Sequence, residues 1–463
     1  MEVRKIDKDE VDAILALNED HFNDVKSKRI APSKLQETFV ALANADGGDL
    51  FIGVEDKSEP GERIIGFDEQ EEANEILSTL LEETDPAVEN LLCEFLAVQG
   101  KGLILHVGIP KSPKVHYTSS GDCYIRVNAA KRKIKGERVT QLAYSKGAEP
   151  FERKPIPDVD VEEIADSKYL VDYMRRVKSH LPPEKFLKKQ RVLTKKDGKH
   201  VPNVGCVLLF DEEPQATLDT RCAVKVYRLR TTEQEYKREQ LAEMPVTING
   251  PAEEAINKTI EQVSSYIDGA SFEENGKLVQ LSYPAEALKE ILVNAVIHRD
   301  YSLNDDVHVR IYDNRVEVQS PGKLPGYMSL ENLYDERFSR NSNLVRMLHN
   351  LPEPLNHDIG EGLNTAKNEL KKAGLVNPVF EERDNAFIVT IRHQKLAAIE
   401  DVVLEYLEEN PDAVIGNKLV RQLSGEDDMQ KVKLALQRLR SNGKIKLKDE
   451  NASPFHYRYV KAQ

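Results

Sequence analysis

The segment from Tyr283 to Tyr301, YPAEALKEILVNAVIHRDY, constrains the fold more than any other part of this chain. Pro284 suits the first turn of a helix, where its missing N–H is not needed, and good helix formers follow it. Most of the predicted helix surface is apolar, but Glu290, Asn294 and His298 recur at every fourth position. The pattern predicts a mostly buried helix that carries one polar stripe.

A polar stripe on such a helix has two interpretations. A buried carboxylate or amide that lacks a hydrogen-bond partner costs about 2 kcal/mol or more, so the chain or a ligand must supply partners. Alternatively, the helix is half exposed and the stripe faces water. The sequence of the helix alone does not decide between a ligand site and a solvated face.

Two later segments favour a ligand. A β-hairpin is predicted over residues 307–320, with its turn near Asp313, and its second strand runs into Gly322. Farther along, Gly360 and Gly362 precede a predicted helix. Glycines at the start of a helix let backbone N–H groups approach a phosphate, and the helix dipole favours the negative charge there.

Taken in order, these motifs resemble those of the GHKL ATPases, most closely the variant similar to the C-terminal region of the RecG helicase. The resemblance covers residues 255–394 and implies a Bergerat-type α/β sandwich that binds ATP with Mg²⁺. It implies that Glu290 activates the attacking water and that Asn294 holds the magnesium ion. The further cofactor-binding positions that it implies are His298, Ser320, Gly322, Arg340, Asn341, Gly360 and Gly362.

The position that reads adenine in that family departs from the family pattern. An aspartate normally stands there, whereas this chain has Ser320 before Pro321 and Gly322. Asp313 is an alternative reader of the base, although it lies at the predicted hairpin turn. The identity of the nucleotide base therefore stays open at the level of sequence.

Composition limits the other classes of protein. A length of 463 residues suggests about three domains. No apolar run is long enough to span a membrane and the N-terminus lacks a signal-peptide core, so we expect a cytoplasmic protein with no membrane partner. The four cysteines are widely separated, which excludes a zinc ribbon or a disulfide framework. Because the net charge is −14, nucleic acid could bind only at local basic patches.

The first 140 residues carry a second resemblance. DVK at 24–26, ANADGGDLFIGVED at 43–56 and YIRVN at 124–128 resemble the Schlafen-type AlbA-like domain. In nuclease members of that family, three acids and a lysine form the catalytic site. The matching catalytic positions are Glu19, Asp24, Lys26 and Asp56, of which the three acids are also the implied ligands of Mg²⁺ or Mn²⁺.

The chemistry implied for this first region is metal-dependent phosphodiester cleavage. Carboxylate oxygens hold a hard divalent cation, the cation activates water, and the lysine stabilises the developing anion. The alternative is that these charges are ordinary surface groups in a chain that is 31% charged, and that the region only binds nucleic acid. Under either hypothesis, the residues predicted to contact phosphates are Arg126, Lys131, Arg132 and Lys133.

The C-terminal segment has the order of a winged helix, with three predicted helices and then a hairpin. Its predicted nucleic-acid contacts are Lys431, Arg438, Lys444 and Lys446. The alternative is a winged helix that serves dimer or protein contacts. Between the two resemblances, residues 161–254 carry no catalytic motif, and the apolar run 204–210 and residues 222–227 are predicted as strands.

The sequence therefore predicts an α+β multidomain protein. The expected parts are a Schlafen AlbA-like region at 1–146, a linker at 147–160, a coupling α/β region at 161–254, the GHKL-type region at 255–394 and a winged helix at 395–463. The leading hypothesis is an ATP-controlled, metal-dependent nuclease acting in stress or phage defence. The alternative is an ATP-sensing, DNA-binding transcriptional regulator without nuclease activity. The expected partners are DNA or RNA, a second copy of the chain and a partner protein.

Overall fold

The structure is a computed structural model that describes residues 1–268, 271–274, 277–280, 282–356, 362–393, 399–411, 413–424, 429–448 and 457–462. The helices are α1 (Lys8–Ala16), α2 (Pro32–Ala43), α3 (Asn74–Leu81), α4 (Glu137–Lys146), α5 (Val161–Ala165), α6 (Lys168–Arg176), α7 (Pro183–Lys189), α8 (Val204–Phe210), α9 (Pro214–Thr217), α10 (Ala252–Asp268), α11 (Ala285–Ile297), α12 (Ser342–His349), α13 (Gly362–Lys372), α14 (Ile399–Glu409), α15 (Asn417–Ser424) and α16 (Met429–Ser441). The strands are β1 (Glu2–Lys5), β2 (Asn23–Lys26), β3 (Gly48–Ile52), β4 (Leu92–Val98), β5 (Gly102–Ile109), β6 (Cys123–Val127), β7 (Ala130–Ile134), β8 (Leu193–Lys196), β9 (Lys199–Pro202), β10 (Val224–Arg228), β11 (Val246–Ile248), β12 (Ser271–Glu274), β13 (Lys277–Gln280), β14 (Val307–Ile311), β15 (Arg315–Pro321), β16 (Val379–Arg383), β17 (Ala386–Arg392), β18 (Ile445–Leu447) and β19 (Tyr459–Lys461). The mixture of helices and several sheets confirms the α+β multidomain prediction.

The N-terminal region is built on a mixed five-stranded sheet in the order β1-β4-β5-β3-β2. Side chains alternate between its two faces, as the pleat of a strand requires. Leu105 and Val107 of β5 pack with α2 and α3 on one face, whereas Ile104 packs with Ile14 of α1 on the other. The sheet is therefore covered by helices on both sides.

The basic hairpin β6–β7 and helix α4 form one packed unit on this sheet. Cys123 and Ile134 of the hairpin are buried against Val139 and Leu142 of α4. The hairpin also lies on α2, where Asn44 donates to the carbonyl of Tyr124 at 2.9 Å. A displacement of α4 would therefore carry the hairpin with it.

The central region is built on a six-stranded sheet in the order β11-β10-β14-β15-β17-β16. Strands β10 and β14 are parallel, and the other neighbours are antiparallel. The inward residues of β14, Val307, Val309 and Ile311, are buried in a core shared with α10 and α11. Helix α11, which carries the polar stripe, is thus packed against the sheet, with α13 beside it.

Two predictions for the middle of the chain differ from the structure. Residues 204–210, predicted as a strand, form α8, and Asn203 caps that helix by accepting the N–H of Cys206 at 3.0 Å. A short apolar run does not distinguish a buried strand from a buried helix. Residues 147–160, predicted as a linker, include the fully buried Glu152, whose carboxylate accepts the N–H groups of Asn343 and Leu344 at the start of α12. Residues 147–160 are therefore anchored to α12 by buried hydrogen bonds.

The C-terminal region has its own core, formed by α14, α15, α16 and the β18–β19 hairpin. Val403, Val432 and Leu436 are buried there together with Tyr459 of β19. The order of three helices and a hairpin follows the sequence pattern. Within the described part of the chain, no helix is both long and apolar enough to cross a membrane.

Candidate functional site

A cavity of about 320 Å³ lies beside α11 in the central region. Its walls are α11, strand β15, the start of α13 and residues 322–340, which we call the cavity loop. Most of the lining is apolar and includes Ile291, Leu324, Met328, Phe338 and Phe387. The volume lies within the range of roughly 300–1,000 Å³ that is typical of small-molecule sites.

The polar stripe of α11 forms one wall of this cavity. Glu290 is 5% exposed, and Asn294 and His298 are half-buried beside it. All three side chains face the same space, as their spacing along a helix requires. The stripe therefore faces an enclosed cavity, which distinguishes it from a solvated helix face.

Helix α13 begins directly against this stripe. A Cβ atom added to Gly362 would overlap Glu290 Oε2 and would lie 3.3 Å from Asn294 Nδ2. Because glycine has no side chain, the first turn of α13 comes this close to both groups without displacing either of them. Gly360, which was predicted to share this role, lies outside the described residues.

His298 ends α11 and is neutral at physiological pH. Burial, together with the nearby charge of Arg340, lowers the pKa of His298 to about 4. Among the residues that the structure describes, the buried Nδ1 of His298 has no hydrogen-bond partner. The ring is therefore a neutral group at the end of α11, and its Nδ1 is enclosed by the protein.

Ser320 also lines the cavity, at the position where the family has its aspartate. Its hydroxyl donates to the carbonyl of Ala295 at 2.7 Å, so Oγ is left as an acceptor for any ligand. Asp313, the alternative reader of a base, forms an ion pair with Arg228 at 2.6 Å and does not line this cavity. The geometry therefore removes Asp313 as a candidate.

Arg340 and Asn341, predicted to bind the cofactor, hold backbone carbonyls instead. Arg340 is 3% exposed and donates to the carbonyls of His298, Ser145 and Lys323. Asn341 is fully buried and donates to the carbonyls of Ile297 and Arg299. Neither side chain lines the cavity, because both are used to fix the end of α11.

Sequence reasoning overlooked two cations of the cavity loop. Lys323 and Arg337 both lie at the cavity, and both are exposed. Lys323 follows directly after the SPG turn, and this position next to Gly322 is the sequence feature from which its place at the cavity could have been predicted. Gly322 has a φ of +103°, and a Cβ there would lie 2.6 Å from Asp300 Cβ, which explains why a glycine occupies the turn.

The acidic residues of the N-terminal region meet at a lysine. Lys26 Nζ lies 2.6 Å from Glu19 Oε1 and also pairs with Asp24, which is 2% exposed. The other oxygen of Asp24 pairs with the buried guanidinium of Arg126. Burial raises the pKa of Glu19, and the opposing effect of Lys26 does not cancel this rise. Burial alone would lower the pKa of Lys26, but the negative charges of Asp24 and Glu19 outweigh burial, so the pKa of Lys26 is raised.

Asp56 forms no ion pair with this cluster, although the charge of Lys26 helps to lower the pKa of Asp56. Its carboxylate accepts from the hydroxyl and the N–H of Ser58, which lower its pKa. Within the described residues, no group of three or more acidic, histidine or cysteine side chains is placed to hold a metal ion. Because Asp24 already has two cationic partners, this donor set does not fit the predicted Mg²⁺ or Mn²⁺ site.

The predicted nucleic-acid contacts fall into two groups. Arg126 is buried and bonded to Asp24 and to the carbonyls of Asp20 and Asn23, so it is not available to phosphates. Lys131 pairs with Glu37 at 3.0 Å and Lys133 with Asp122 at 2.5 Å. The remaining predicted contacts, Arg132, Lys431, Arg438, Lys444 and Lys446, are exposed.

Comparisons with known proteins agree with the two resemblances. Residues 19–135 match the family model described as "Schlafen, AlbA_2", and residues 304–391 match the model described as "Putative ATP-dependent DNA helicase recG C-terminal". The predicted fusion of these two regions is thereby confirmed. Among solved structures, the chain is similar to the DIP2311 protein from Corynebacterium diphtheriae, at 18% identity and a TM-score of 0.42, over 98% of this chain and 96% of that one. The curated proteins contain no match.

Proposed function

We propose that this chain, which joins a Schlafen AlbA_2 region to a RecG C-terminal-type region, is an ATP-binding protein that binds nucleic acid under nucleotide control. One observation carries the nucleotide part of the proposal. The polar stripe of α11 and the glycine start of α13 meet across a cavity of about 320 Å³. The second family match begins at residue 304, after the stripe, so the geometry supports Glu290 and Asn294 independently of it.

The residues at this cavity fit ATP together with Mg²⁺. Apolar side chains such as Phe338 suit a base, and Ser320 offers it an acceptor. The first turn of α13 and Lys323 suit phosphates, because backbone N–H groups and a cation converge there. Asn294 is placed to contribute an oxygen to Mg²⁺, which typically takes few protein ligands and completes its shell with phosphates and water.

Glu290 is the candidate general base for any hydrolysis. It lies within the cavity wall, next to the start of α13, where a water aligned with a terminal phosphate could reach it. Bound Mg²⁺ would neutralise charge that develops on the phosphate oxygens. We expect Glu290→Ala to retain ATP binding and to lose turnover, since the carboxylate is needed only for proton removal.

Calorimetric titration of ATP with Mg²⁺ tests the nucleotide site. Asn294→Ala should abolish detectable binding, whereas Asn442→Ala, the same substitution at an exposed position outside the cavity, should leave it unchanged. Equal affinities in wild type and Asn294→Ala would refute the proposed site. GTP serves as the comparison nucleotide, and we expect weak discrimination because Ser320 stands where the family has an aspartate.

Nucleic-acid binding is proposed for two exposed basic surfaces. The first is the β6–β7 hairpin with Arg132, and the second is the C-terminal segment, which we infer to be a winged helix with Lys444 and Lys446 on its wing. Phosphate contacts release counterions, so affinity should fall steeply with salt. Combined Lys444→Ala and Lys446→Ala should reduce that slope, while Lys258→Ala, an exposed lysine on α10, should not.

The binding function is favoured over the metal-dependent nuclease because Asp24 is neutralised by Lys26 and Arg126 and Asp56 stands apart. Incubation of labelled DNA and RNA with the protein and Mn²⁺ distinguishes the two. A mobility shift without cleavage is expected. Cleavage that Asp56→Asn and Glu19→Gln both abolish would restore the nuclease hypothesis. Dimerisation on nucleotide binding stays a prediction, which sedimentation with a non-hydrolysable ATP analogue would test.

A further inference from the structure

The cavity loop is hydrogen-bonded to the N-terminal region at three points. Lys111 donates from Nζ to the carbonyl of Leu324 at 2.9 Å. The N–H of Gly326 donates to the carbonyl of Lys146 at 2.9 Å, and Arg340 Nη2 donates to the carbonyl of Ser145 at 2.9 Å. Two of the three contacts are therefore made to the last residues of α4.

The same loop residues border the cavity. Leu324 and Phe338 both line it. The ring of Phe338 also packs where α4 ends, because a Cβ on Gly147 would lie 2.5 Å from Phe338 Cε1. On its other side the ring is close to Gly326, where a Cβ would lie 2.6 Å from Cδ2. A single aromatic side chain thus touches both the cavity and the end of α4.

Arg340 extends this connection to the polar stripe. Its guanidinium donates to the carbonyl of His298 at 3.2 Å and to that of Lys323 at 2.9 Å, in addition to Ser145. It is 3% exposed, so these contacts are shielded from water. The end of α11, the start of the cavity loop and the end of α4 are held by one side chain.

Helix α4 leads directly to the basic hairpin. It begins three residues after β7 ends, and Val139 and Leu142 pack against Cys123 and Ile134 of the hairpin. The hairpin carries Arg132, one of the exposed cations proposed to contact phosphates. A shift of the cavity loop that keeps its three hydrogen bonds acts on α4, and through Val139 and Leu142 on the hairpin packed against that helix.

We propose that nucleotide in the cavity and nucleic acid at the β6–β7 hairpin are thermodynamically coupled through the cavity loop and helix α4. This inference rests on the proposed function. A ligand that contacts Leu324 or Phe338 has a different affinity for each position of the cavity loop. Binding therefore favours one loop position and the position of α4 that goes with it. Coupling is reciprocal, so nucleic acid must change nucleotide affinity by the same factor as nucleotide changes nucleic-acid affinity.

The test measures each affinity with and without the other ligand, on the full chain. The probes are a fluorescein-labelled DNA duplex, its single strand and the RNA of the same sequence, with adenylyl imidodiphosphate and Mg²⁺ as nucleotide. We expect at least one nucleic acid to show a coupling factor of about fivefold or more, equal in both directions within error.

Lys111→Met is the diagnostic variant, because it removes one loop contact, together with the Lys111–Asp46 ion pair, while lying outside the cavity. It should reduce the coupling factor at least about twofold on the same scale and leave each separate affinity unchanged. Lys114→Met is the matched control, since Lys114 pairs with Glu89 at 2.6 Å and does not contact the loop. Circular dichroism checks that both variants are folded.

Three results would overturn the inference. Independent binding of both ligands to the wild type would exclude coupling, and nucleotide control with it, while leaving the proposed ATP-binding and nucleic-acid-binding activities intact. Full coupling in Lys111→Met, or an equal loss in Lys114→Met, would exclude this route. Failure of the wild type to bind either ligand would refute the proposed function itself, and the coupling with it.

Discussion

Alanine substitutions at the two glycines of the cavity should have different effects, with Gly362→Ala weakening nucleotide binding and Gly322→Ala lowering stability. Gly362 has no positive φ, and its added Cβ would meet the end of the flexible Glu290 side chain. The carboxylate can move aside, and alanine favours a helix over glycine by up to about 1 kcal/mol. We therefore expect Gly362→Ala to change stability by less than about 1 kcal/mol and to weaken nucleotide binding at least about tenfold.

Gly322→Ala should instead destabilise the central region. Its φ of +103° strains any L side chain, at a cost of about 1–3 kcal/mol. The added Cβ would also lie 2.6 Å from Asp300 Cβ and 2.8 Å from Arg340 Nη1, and such overpacking costs about 1–3 kcal/mol. Arg340 is held by three carbonyls, so it has little room to yield. The combined loss is about 2–6 kcal/mol.

Differential scanning calorimetry separates these outcomes, and titration calorimetry with ATP and Mg²⁺ supplies the affinities. The chain has no tryptophan, so intrinsic tryptophan fluorescence is no substitute. At roughly 2–4 °C per kcal/mol, Gly322→Ala should lower the transition of the central region by several degrees or more. Equal losses of melting temperature in both variants, or wild-type ATP affinity in Gly362→Ala, would refute the account of the cavity.

Three further predictions concern buried charged or titratable groups. The pKa of His298 in the folded chain, about 4, lies below its unfolded value of about 6.5, so the protein loses stability as the pH drops from 6.5 towards 4. The melting temperature should therefore be lower at pH 5 than at pH 7, and His298→Gln should reduce this difference. Asp24→Asn should lower the free energy of unfolding, measured with denaturant, by about 3–5 kcal/mol, because it leaves Arg126 buried without its counter-charge. Asp56→Asn, at an exposed turn, should leave that free energy nearly unchanged. Glu152→Ala should cost about 1–3 kcal/mol by leaving two buried N–H groups of α12 unpaired, and wild-type stability in thermal melts would contradict that role.

The regular elements that form the site were predictable because their patterns are local. The spacing of Glu290, Asn294 and His298 fixes them on one helix face, and the glycine that opens α13, Gly362, marks where its first turn can approach another group. The run 204–210 was not predictable as a helix from its apolar composition alone. Its helix is decided by the cap at Asn203 and by burial against other helices, and burial depends on the whole fold.

The roles of Arg340, Asn341 and Arg126 depend on contacts distant in sequence. Arg126 lies 102 positions from Asp24, and Arg340 lies 195 positions from Ser145. A family motif can place a residue in order along the chain, but it does not say which carbonyl or carboxylate lies within reach after folding. The sequence therefore placed Glu290, Asn294 and His298 on one helix face, whereas Arg340 and Asn341, which it predicted to bind the cofactor, hold backbone carbonyls.

The acidic cluster of the N-terminal region and the cavity of the central region differ in whether the protein itself pairs their polar groups. Asp24 is satisfied within the protein by Lys26 and Arg126, so binding of a cation there would have to displace two ion pairs. At the cavity, Ser320 Oγ keeps acceptor capacity for a ligand and the start of α13 lies against Glu290 and Asn294. A ligand gains most where the protein has not already paired its polar atoms. Nucleotide should therefore bind the central region, and the N-terminal region should receive its signal through α4.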